Sequence, residues 1–378
     1  MLSKEEISRY SRHLLLPEIG TEGQEKLKKA KVLVIGAGGL GCPVLLYLTA
    51  VGVGEIGIVD FDTVDESNLQ RQILFAVEDV GKPKANVAAD KLFKQNPFVK
   101  FTIHNLQLNN QNALDIIKNF DIIIDGTDNF ATRYLINDAC VLLNKPLVYG
   151  AIYRFEGQVS VFNFGNKNGI NPPNYRCVFP EPPAPEFSPN CSEIGVLGVL
   201  PGIIGTLQAN EAIKLITGIG EPLSGKLLVI NALTMHFTTI DVHYDKGSYK
   251  NIPACTEEFL KMDYAYFCGS PNQSDDIKSI TAGELISLLD KKENLQILDV
   301  RELGELPEVT SLSDLQIPLS EIDAQVHKIS KEKKVIVFCR GGTRSKQAIT
   351  LLQKKSEFKN LYNLEGGVLK YLKEFQNK

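Results

Sequence analysis

The stretch VLVIGAGGLG, residues 32–41, decides the fold, because four apolar residues run directly into a glycine-rich turn. The apolar residues predict a buried strand over Val32–Ile35, and a second apolar pattern predicts a buried helix over Pro43–Val51. Glycines between a strand and a helix allow a tight turn and close approach of phosphate groups to the first helical amides. The glycines expected to contact a nucleotide are Gly36, Gly38, Gly39 and Gly41.

An acidic residue follows the next predicted strand, Glu55–Val59. Asp60 lies about twenty residues after the glycine turn, where a carboxylate binds the hydroxyl groups of a ribose. Strands and helices then alternate, which predicts a mainly parallel sheet covered by helices. The further predicted elements are two short helices in the first thirty residues, helices over 84–95 and 202–217, and strands over 101–106, over 121–125, near Leu227 and near Ile240.

The charged residues after Asp60 distinguish between two kinds of nucleotide enzyme. A dehydrogenase that binds NAD is one interpretation of the glycine turn, but hydride transfer has little need of cations beside the phosphates. Cleavage of an α–β phosphate bond does need them, since negative charge builds up on the leaving pyrophosphate. Arg71 and Lys84 can meet that charge, and Asp128 follows an apolar strand at a position suited to Mg²⁺.

Composition and charge narrow the class of protein further. The formal net charge of -4 shows no basic surplus, which argues against a nucleic-acid partner. No apolar run reaches the roughly 18 to 20 residues that span a bilayer, and the polar N-terminus does not resemble a signal peptide. Seven scattered cysteines are typical of a reducing compartment, so we expect a cytoplasmic protein without a disulfide framework.

At these residues the chain resembles the molybdopterin-synthase and thiamine-biosynthesis adenylyltransferase family, relatives of the ubiquitin-activating enzymes. The resemblance covers about residues 5–245. Its motifs lie at 9–12, 36–41, 60–72, Lys84, 125–129, Arg133, 150–158 and 195–198. The resemblance implies a Rossmann-like adenylation domain that uses ATP and Mg²⁺. Its implied substrate is a ubiquitin-like sulfur-carrier protein ending in Gly-Gly, whose carboxylate becomes an acyl-adenylate.

The resemblance also assigns roles to individual residues. By position, Asp60 binds the ribose and Asp128 the metal. The remaining implied nucleotide contacts are Ser67, Asn68, Arg71, Lys84 and Asn129. Arg12 matches an arginine that family members supply across a dimer interface, which implies a homodimer.

The cysteines of the first domain raise two questions, one about thiol chemistry and one about zinc. Cys191 follows a proline-rich loop, where family members can carry a nucleophile that attacks the adenylate or exchanges sulfur; an unreactive thiol is the alternative. Members of the family commonly bind zinc through two Cys-x-x-Cys pairs, but the chain keeps only Cys177 and Cys255 of them. Two thiolates do not close a tetrahedral site, so we expect no structural zinc. Cys42 and Cys140 lie on helical patterns and are expected in the core.

A second strand-to-helix turn near the C-terminus carries another cysteine. The strand predicted over Lys334–Phe338 leads into Cys339-Arg-Gly-Gly-Thr-Arg344-Ser345, and a helix follows. A nest of backbone amides lowers a thiol pKa and stabilises a persulfide anion, and the two arginines would help to bind anionic sulfur donors. The alternatives are a phosphatase-like loop, for which Arg344 comes one residue too early, and a buried thiol.

This region resembles a rhodanese domain over about residues 277–378, with further matching motifs at 298–302 and 364–368. The resemblance makes Cys339 the persulfide carrier. It departs from the rhodanese pattern at 303–317, which is shortened and lacks the usual His-Ile-x-Gly-Ala segment.

The whole sequence thus predicts an adenylation domain over 1–245, a linker over 246–276 and a small α/β rhodanese-like domain over 277–378. We expect ATP-dependent adenylylation of the carrier glycine, followed by sulfur transfer from Cys339 to give a thiocarboxylate, with a Cys191 disulfide as one route. A cysteine desulfurase or thiosulfate is the expected sulfur donor. A non-catalytic scaffold and a tRNA-modifying enzyme of the same family remain open, as does the choice between molybdopterin, thiamine and tRNA thiolation.

Overall fold

The computed structural model describes residues 1–165, 171–182, 195–268, 277–307, 309, 312–356 and 358–375. They form two compact units, Met1–Cys268 and Gly269–Lys378, each with its own sheet and core. Nowhere in these described ranges does a helix combine the length and apolar composition that a membrane crossing requires.

The first unit is organised around one large sheet. Its strands are β1 Lys31–Ile35, β2 Glu55–Val59, β3 Lys100–His104, β4 Ile122–Asp125, β5 Leu147–Tyr153, β6 Glu156–Phe162, β7 Lys226–Asn231 and β8 His236–Asp241. They are hydrogen-bonded in the order β3-β2-β1-β4-β5-β6-β7-β8. The pairs from β3 to β5 are parallel, and those from β5 to β8 are antiparallel. The predicted mainly parallel α/β sheet is confirmed from β3 to β5, and an antiparallel extension follows it.

Helices cover both faces of this sheet. They are α1 Lys4–Arg9, α2 Ser11–Leu14, α3 Gly20–Lys29, α4 Gly41–Val51, α5 Lys84–Gln95, α6 Ala113–Ile117, α7 Phe130–Leu142, α8 Tyr175–Val178, α9 Leu200–Thr217, α10 Thr256–Lys261 and α11 Tyr264–Phe267. Short 3₁₀ turns occur at Glu66–Asn68, Val77–Asp79 and Ser248–Asn251.

The apolar stretch of β1 shows why the sequence folds into a covered sheet. Val32 and Val34 point into the core on one face, while Leu33 and Ile35 point into the core on the other. All four side chains are buried. In the sequence, a strand that is buried on both faces is a continuous apolar run and does not alternate apolar with polar residues. Residues 32–35 show this pattern.

The predicted elements agree with the structure except at several of their ends. The strand Glu55–Val59 and the helix Lys84–Gln95 have the predicted bounds. The strand predicted over 101–106 runs from Lys100 to His104, because its pairing with β2 ends there. The first thirty residues hold three helices rather than the two predicted, since the chain breaks between α1 and α2 at Tyr10.

The segment predicted as a linker belongs in large part to the first unit. Phe259 and Tyr264, in α10 and α11, are buried in the core beneath β4 and β5. The Tyr264 hydroxyl donates a hydrogen bond to Asp138 Oδ2 at 3.0 Å. The stretch was predicted as a linker because most of its residues are polar. A few apolar side chains within it nevertheless pack against the helices that cover the sheet. Residues 269–276 lie outside the described residues.

The second unit holds a smaller parallel sheet. Its elements are β9 Ser279–Ile280, α12 Ala282–Asp290, β10 Leu295–Asp299, β11 Leu315–Gln316, 3₁₀ turns at Leu319–Glu321 and Val326–Lys328, β12 Lys334–Phe338, α13 Thr343–Ser356, β13 Leu361–Leu364 and α14 Gly367–Phe375. The strand order is β11-β10-β12-β13-β9, and the pairs are parallel. The strand predicted over 334–338 is confirmed at its bounds.

Candidate functional site

A cleft opens where the strand order of the first unit reverses, between β1 and β4. Ligands of open α/β sheets bind at the carboxyl ends of the strands at such a switch point. The predicted site residues that line it are Gly36, Gly38, Gly39, Asp60, Arg71, Lys84, Asp128 and Asn129. Of the described candidates, Arg12, Gly41, Ser67 and Asn68 are not among its lining residues. One surface therefore collects most of the predicted nucleotide contacts.

The glycine turn lies so close to its own helix that one position accepts no side chain. A Cβ atom on Gly41 would lie 1.9 Å from the carbonyl oxygen of Gly36. Gly36 itself has φ +96°, and its missing side chain lets the turn after β4 approach. A Cβ on Gly38, in contrast, would meet only Gln72 Nε2 at 3.6 Å. Gly41 thus shapes the turn, although it does not line the cleft.

We expect Gly41→Ala to destabilise the first unit by about 1–3 kcal/mol, because the new methyl group overlaps a backbone atom. The measurement is thermal unfolding of the full chain, followed by nucleotide titration of the folded fraction. Gly38→Ala is the matched control, since its methyl group finds an ordinary contact distance. Equal melting temperatures for the two variants would contradict the close approach.

Asp60 stands at the end of β2 and is oriented by the backbone around it. Its Oδ2 accepts a hydrogen bond from the Ala37 N–H at 2.7 Å, and its Oδ1 accepts one from the Asp62 N–H at 2.9 Å. Burial raises the pKa of Asp60, although these two donors and the charge of Lys84 oppose that rise. An ionised carboxylate has about four acceptor positions, so Asp60 can still accept two hydroxyl protons.

Lys84 is the first residue of α5 and lies beside Asp60 in the cleft. Its side chain is buried, and Nζ forms an ion pair with Asp62 Oδ2 at 2.9 Å. Asp62 is a site residue that the sequence analysis did not single out. The signal was present, since Asp60 and Asp62 are both acidic on one short turn. The pair holds the ammonium group in the cleft without a ligand.

The segment between Asp60 and α5 carries the other predicted phosphate contacts. Arg71 lines the cleft, and its Nη1 donates to the Ser67 carbonyl oxygen at 3.1 Å. The Ser67 hydroxyl donates to Asp65 Oδ1 at 2.6 Å, and the Asn68 side-chain oxygen accepts from the Asp65 N–H at 3.3 Å. Ser67 and Asn68 therefore stabilise their own turn, and Arg71 is the one of these three residues that lines the cleft.

Asp128 is exposed on the turn after β4, and two buried residues hold that turn. Asp125 Oδ1 accepts hydrogen bonds from the Thr127 N–H at 2.9 Å and from its hydroxyl at 2.6 Å. Arg133 Nη2 donates to the Thr127 carbonyl oxygen at 3.2 Å, while Arg133 Nε lies 3.3 Å from Asp125 Oδ2. The turn is thus fixed from below, and the Asp128 carboxylate is presented to the cleft.

The donor set fits a magnesium ion that is bound together with nucleotide phosphates. Mg²⁺ uses one or two carboxylates, waters and substrate phosphates rather than an all-protein cage. Asn129 Oδ1 is already used, since it caps α7 by accepting the Thr132 N–H at 2.9 Å. In the described part of the chain, no group of three or more His, Cys, Asp or Glu could hold a metal by itself. Asp128 is thus the carboxylate that would hold Mg²⁺ here.

Two further candidates of the first unit are Arg12 and Cys191. Arg12 is exposed on α2, away from the cleft of its own chain. Cys191 lies outside the described residues. Cys42 and Cys140 are both buried as predicted, and burial raises the pKa of the Cys42 thiol to about 12.

The Cys177 thiol makes hydrogen bonds within the first unit. Cys177 Sγ lies 3.2 Å from the Ser248 hydroxyl, and it accepts a hydrogen bond from the Asn174 N–H at 3.4 Å. Cys255, the other cysteine kept from the two pairs, is exposed at the start of α10. A thiol, a hydroxyl and an amide do not fit the thiolate and imidazole donors of structural zinc.

A buried ion pair next to Cys177 joins helices of the first unit. Arg176 Nε and Nη2 donate to Asp138 Oδ1 and Oδ2 at 2.8 and 2.7 Å, and both side chains are fully buried. The Arg176 guanidinium also stacks on the rings of Tyr134 and Phe267, 4.7 and 4.6 Å from their centroids. This clamp holds α8 and α11 against α7.

We expect Asp138→Ala to lower the free energy of unfolding by about 3–5 kcal/mol, because it leaves a buried guanidinium without its partner. Thermal or urea unfolding of the first unit measures this loss, with tyrosine fluorescence as the signal. Asp115→Ala is the control, since it removes an exposed ion pair with Lys118 that contributes at most about 1 kcal/mol. A loss no larger than that of the control would show that the clamp is dispensable.

The cysteine of the second unit lies in a loop that directs one backbone amide at the sulfur. Cys339 follows β12 and is buried, and its Sγ accepts the Gly342 N–H at 3.1 Å. The Ser345 hydroxyl lies 3.5 Å from the sulfur and donates its proton to Asn363 Oδ1 at 2.7 Å. Because a hydroxyl has one proton, Ser345 accepts from the thiol in this state.

Backbone contacts with α14 keep the loop carbonyls turned away from that sulfur. The carbonyl oxygens of Cys339 and Arg340 accept the N–H groups of Val368 and Leu369 at 2.9 and 3.3 Å. A Cβ on Gly367 would lie 2.4 Å from the Cys339 carbonyl oxygen, and Gly367 has φ +60°. With its carbonyls bonded outward, the loop can present N–H groups to an anion on sulfur.

Arg344, expected to assist an anionic sulfur donor, is paired within the chain. Its Nη1 and Nη2 donate to Glu305 Oε2 and Oε1 at 2.8 and 2.7 Å. Glu305 lies 39 residues earlier, so spacing offered no signal for it. Of the two arginines expected to bind the donor, Arg340 is exposed and Arg344 is paired with a carboxylate.

Two family models match the chain, one for each unit. The ThiF family model matches residues 10–251, and the rhodanese-like domain model matches residues 281–374. Among solved structures, Escherichia coli MccB with ATP is similar at a TM-score of 0.54 and 25% identity. That likeness covers 63% of this chain and 72% of MccB.

Curated relatives are similar over nearly the whole chain. The protein named "Probable adenylyltransferase/sulfurtransferase MoeZ" of Mycobacterium tuberculosis is 47% identical over 99% of this chain and 95% of its own length. The sulfur carrier protein adenylyltransferase of Thermus thermophilus is 50% identical over 71% of this chain and 98% of its own. The adenylyltransferase and sulfurtransferase MOCS3 of Drosophila grimshawi is 39% identical over 97% of this chain and 84% of its own length.

Proposed function

The chain belongs to the ThiF family and ends in a rhodanese-like domain, and from this premise we propose that it activates and thiolates a ubiquitin-like sulfur carrier. It is an adenylyltransferase and sulfurtransferase. Relatives with these two activities in their names are similar to it over most of their own length. The observation that carries the proposal is one cleft that collects Asp60, Arg71, Lys84 and Asp128 around a glycine turn.

In the adenylation step, ATP lies along the glycine turn and the carrier's C-terminal carboxylate attacks the α-phosphate. Asp60 accepts the ribose hydroxyls, and Arg71 and Lys84 face the charge that develops on the leaving pyrophosphate. Gly36, Gly38 and Gly39 let the phosphates approach the first amides of α4. Asn129 lines the cleft, whereas Ser67 and Asn68 do not. All three would contact the nucleotide after a local rearrangement.

Magnesium supplies charge neutralisation of the phosphates when it is bound. Asp128 is the residue proposed to hold it, on the turn fixed by Asp125 and Arg133. Arg12 is exposed and lies away from its own cleft, which supports the proposal that it serves the cleft of a second copy in a homodimer.

In the sulfur-transfer step, the Cys339 persulfide attacks the acyl-adenylate carbonyl and AMP leaves. The product is an acyl disulfide between the carrier and Cys339. A second thiol must attack the Cys339 sulfur to release the carrier thiocarboxylate, and Cys191 is our candidate. The resulting disulfide then needs a dithiol reductant. Arg340, exposed beside Cys339, faces the incoming donor.

The carrier belongs to a molybdopterin or thiamine pathway in this proposal, and the two are distinguished by which carrier supports the reaction. We propose to measure pyrophosphate exchange into ATP with Mg²⁺, using candidate carriers ending in Gly-Gly and matched carriers that lack the last glycine. Exchange that requires one intact carrier would support adenylation and identify the pathway. Absence of exchange with every carrier would refute the proposal and leave a nucleotide-binding scaffold.

A further inference from the structure

The bidentate ion pair between Glu305 and Arg344 lies beside the sulfur-carrying cysteine, and the steps above do not use it. Arg344 precedes Ser345, whose hydroxyl contacts Cys339 Sγ. Both terminal nitrogens of Arg344 donate to Glu305, so its fork is fully engaged on that side. Such two-point contacts are the geometry with which arginine binds sulfur and phosphorus oxyanions as well as carboxylates. Glu305 therefore occupies the group that an anionic donor would use.

The backbone at Glu305 is held in place by the side chain of Arg301. Arg301 Nη1 donates to the carbonyl oxygens of Glu305 and Pro307 at 3.3 and 2.9 Å. Arg301 is itself fixed by hydrogen bonds to Asp299, with Nη2 2.6 Å from Oδ2. Both Asp299 and Arg301 are buried. The shortened segment after β10 is thus fastened so that the Glu305 carboxylate meets the cysteine loop.

The charge on Glu305 persists at neutral pH. Partial burial would raise its pKa, but the hydrogen bonds and charge of Arg344, with a further contribution from Arg301, hold the pKa below its ordinary value. The group is consequently an anion throughout the physiological range. A dianion that approaches Cys339 must either displace this carboxylate or accept its repulsion at close range.

We propose that Glu305 determines the choice of sulfur donor, by disfavouring small free anions such as thiosulfate and favouring a persulfide carried on a cysteine of a donor protein. The inference rests on the proposed role of Cys339 as the sulfur carrier. A protein persulfide needs no guanidinium clamp, because the rest of its binding energy comes from the protein surface around it.

The two donors differ in the group that must leave. With a protein donor, the Cys339 thiolate attacks the terminal sulfur of R–S–SH. A new S–S bond forms on Cys339, the donor S–S bond breaks, and R–S⁻ leaves with the bonding electron pair. With thiosulfate the same attack expels sulfite, a dianion, next to Glu305. No external oxidant or reductant enters either step.

The test uses the full chain with Glu305 replaced by glutamine, which keeps the shape of the side chain and removes its charge. We expect the KM for thiosulfate, with cyanide as the acceptor, to fall about tenfold in E305Q. The kcat should stay within about twofold, because binding and not chemistry has changed. Loading of Cys339 by a cysteine desulfurase supplied with L-cysteine should stay within about twofold of the native rate.

Glu302→Gln is the matched control, since Glu302 is exposed on the same segment and its carboxylate makes no ion pair among the described residues. It should leave both donors unchanged. A KM for thiosulfate that is unchanged or higher in E305Q would overturn the proposal, as would equal losses with both donors. If E305Q does not fold, Glu305→Ala, which also removes the charge, must lower the thiosulfate KM for the proposal to stand. Failure of every donor to load Cys339 in the native chain would instead refute the carrier role itself.

Discussion

With alanine in place of Cys339, the full chain should lose thiocarboxylate formation on the carrier by at least about a thousandfold. ATP–pyrophosphate exchange should stay within about twofold, because the first unit has its own core and cleft. Alanine offers no atom on which a transferable sulfur can reside, and no other cysteine follows Cys268 in the sequence. Mass spectrometry of the carrier, after incubation with ATP and a sulfur donor, measures the product.

Cys255→Ala is the control for this experiment. Cys255 is exposed in the first unit and has no assigned role. Its removal should leave both adenylation and sulfur transfer unchanged. Thiocarboxylate formation by the Cys339→Ala chain at the native rate would show that sulfur reaches the carrier by a route that bypasses the second unit.

Lys84→Ala should have the opposite effect, with pyrophosphate exchange lowered by about 10²–10³-fold and sulfur loading of Cys339 unchanged. The ammonium group is buried at the edge of the cleft and paired with Asp62 at 2.9 Å. Its loss removes a fixed positive charge from the path of the leaving pyrophosphate. It also leaves the Asp62 carboxylate uncompensated, so one more negative charge faces the phosphates.

Lys82→Ala is the matched control, because Lys82 lies two residues earlier, is exposed, and contacts Asp79 at only 3.9 Å. Exchange by this variant should stay within about twofold of the native rate. Carrier binding should survive in the Lys84→Ala chain, which separates lost catalysis from lost recognition. Equal exchange rates in the two lysine variants would remove Lys84 from the proposed mechanism.

The sequence alone was sufficient for features whose cause lies within a few consecutive residues. The strand at 32–35, the glycine turn, and Asp60 after β2 follow from apolar runs and turn chemistry. The same holds for the placement of Cys339 between β12 and a helix. In each case, local backbone geometry decides where the side chain stands, and local geometry is encoded locally.

Tertiary structure decided the partners that hold or restrain these groups. Lys84 meets Asp62 across 22 residues, Arg344 meets Glu305 across 39, and Cys177 meets Ser248 across 71. No periodicity or motif spans such separations, because the pairs form only when segments on different strands and loops pack together. The sequence therefore determined which chemistry the chain carries. The packing decided which charges remain available to a ligand, since a buried or paired group is controlled by the neighbour that folding places beside it.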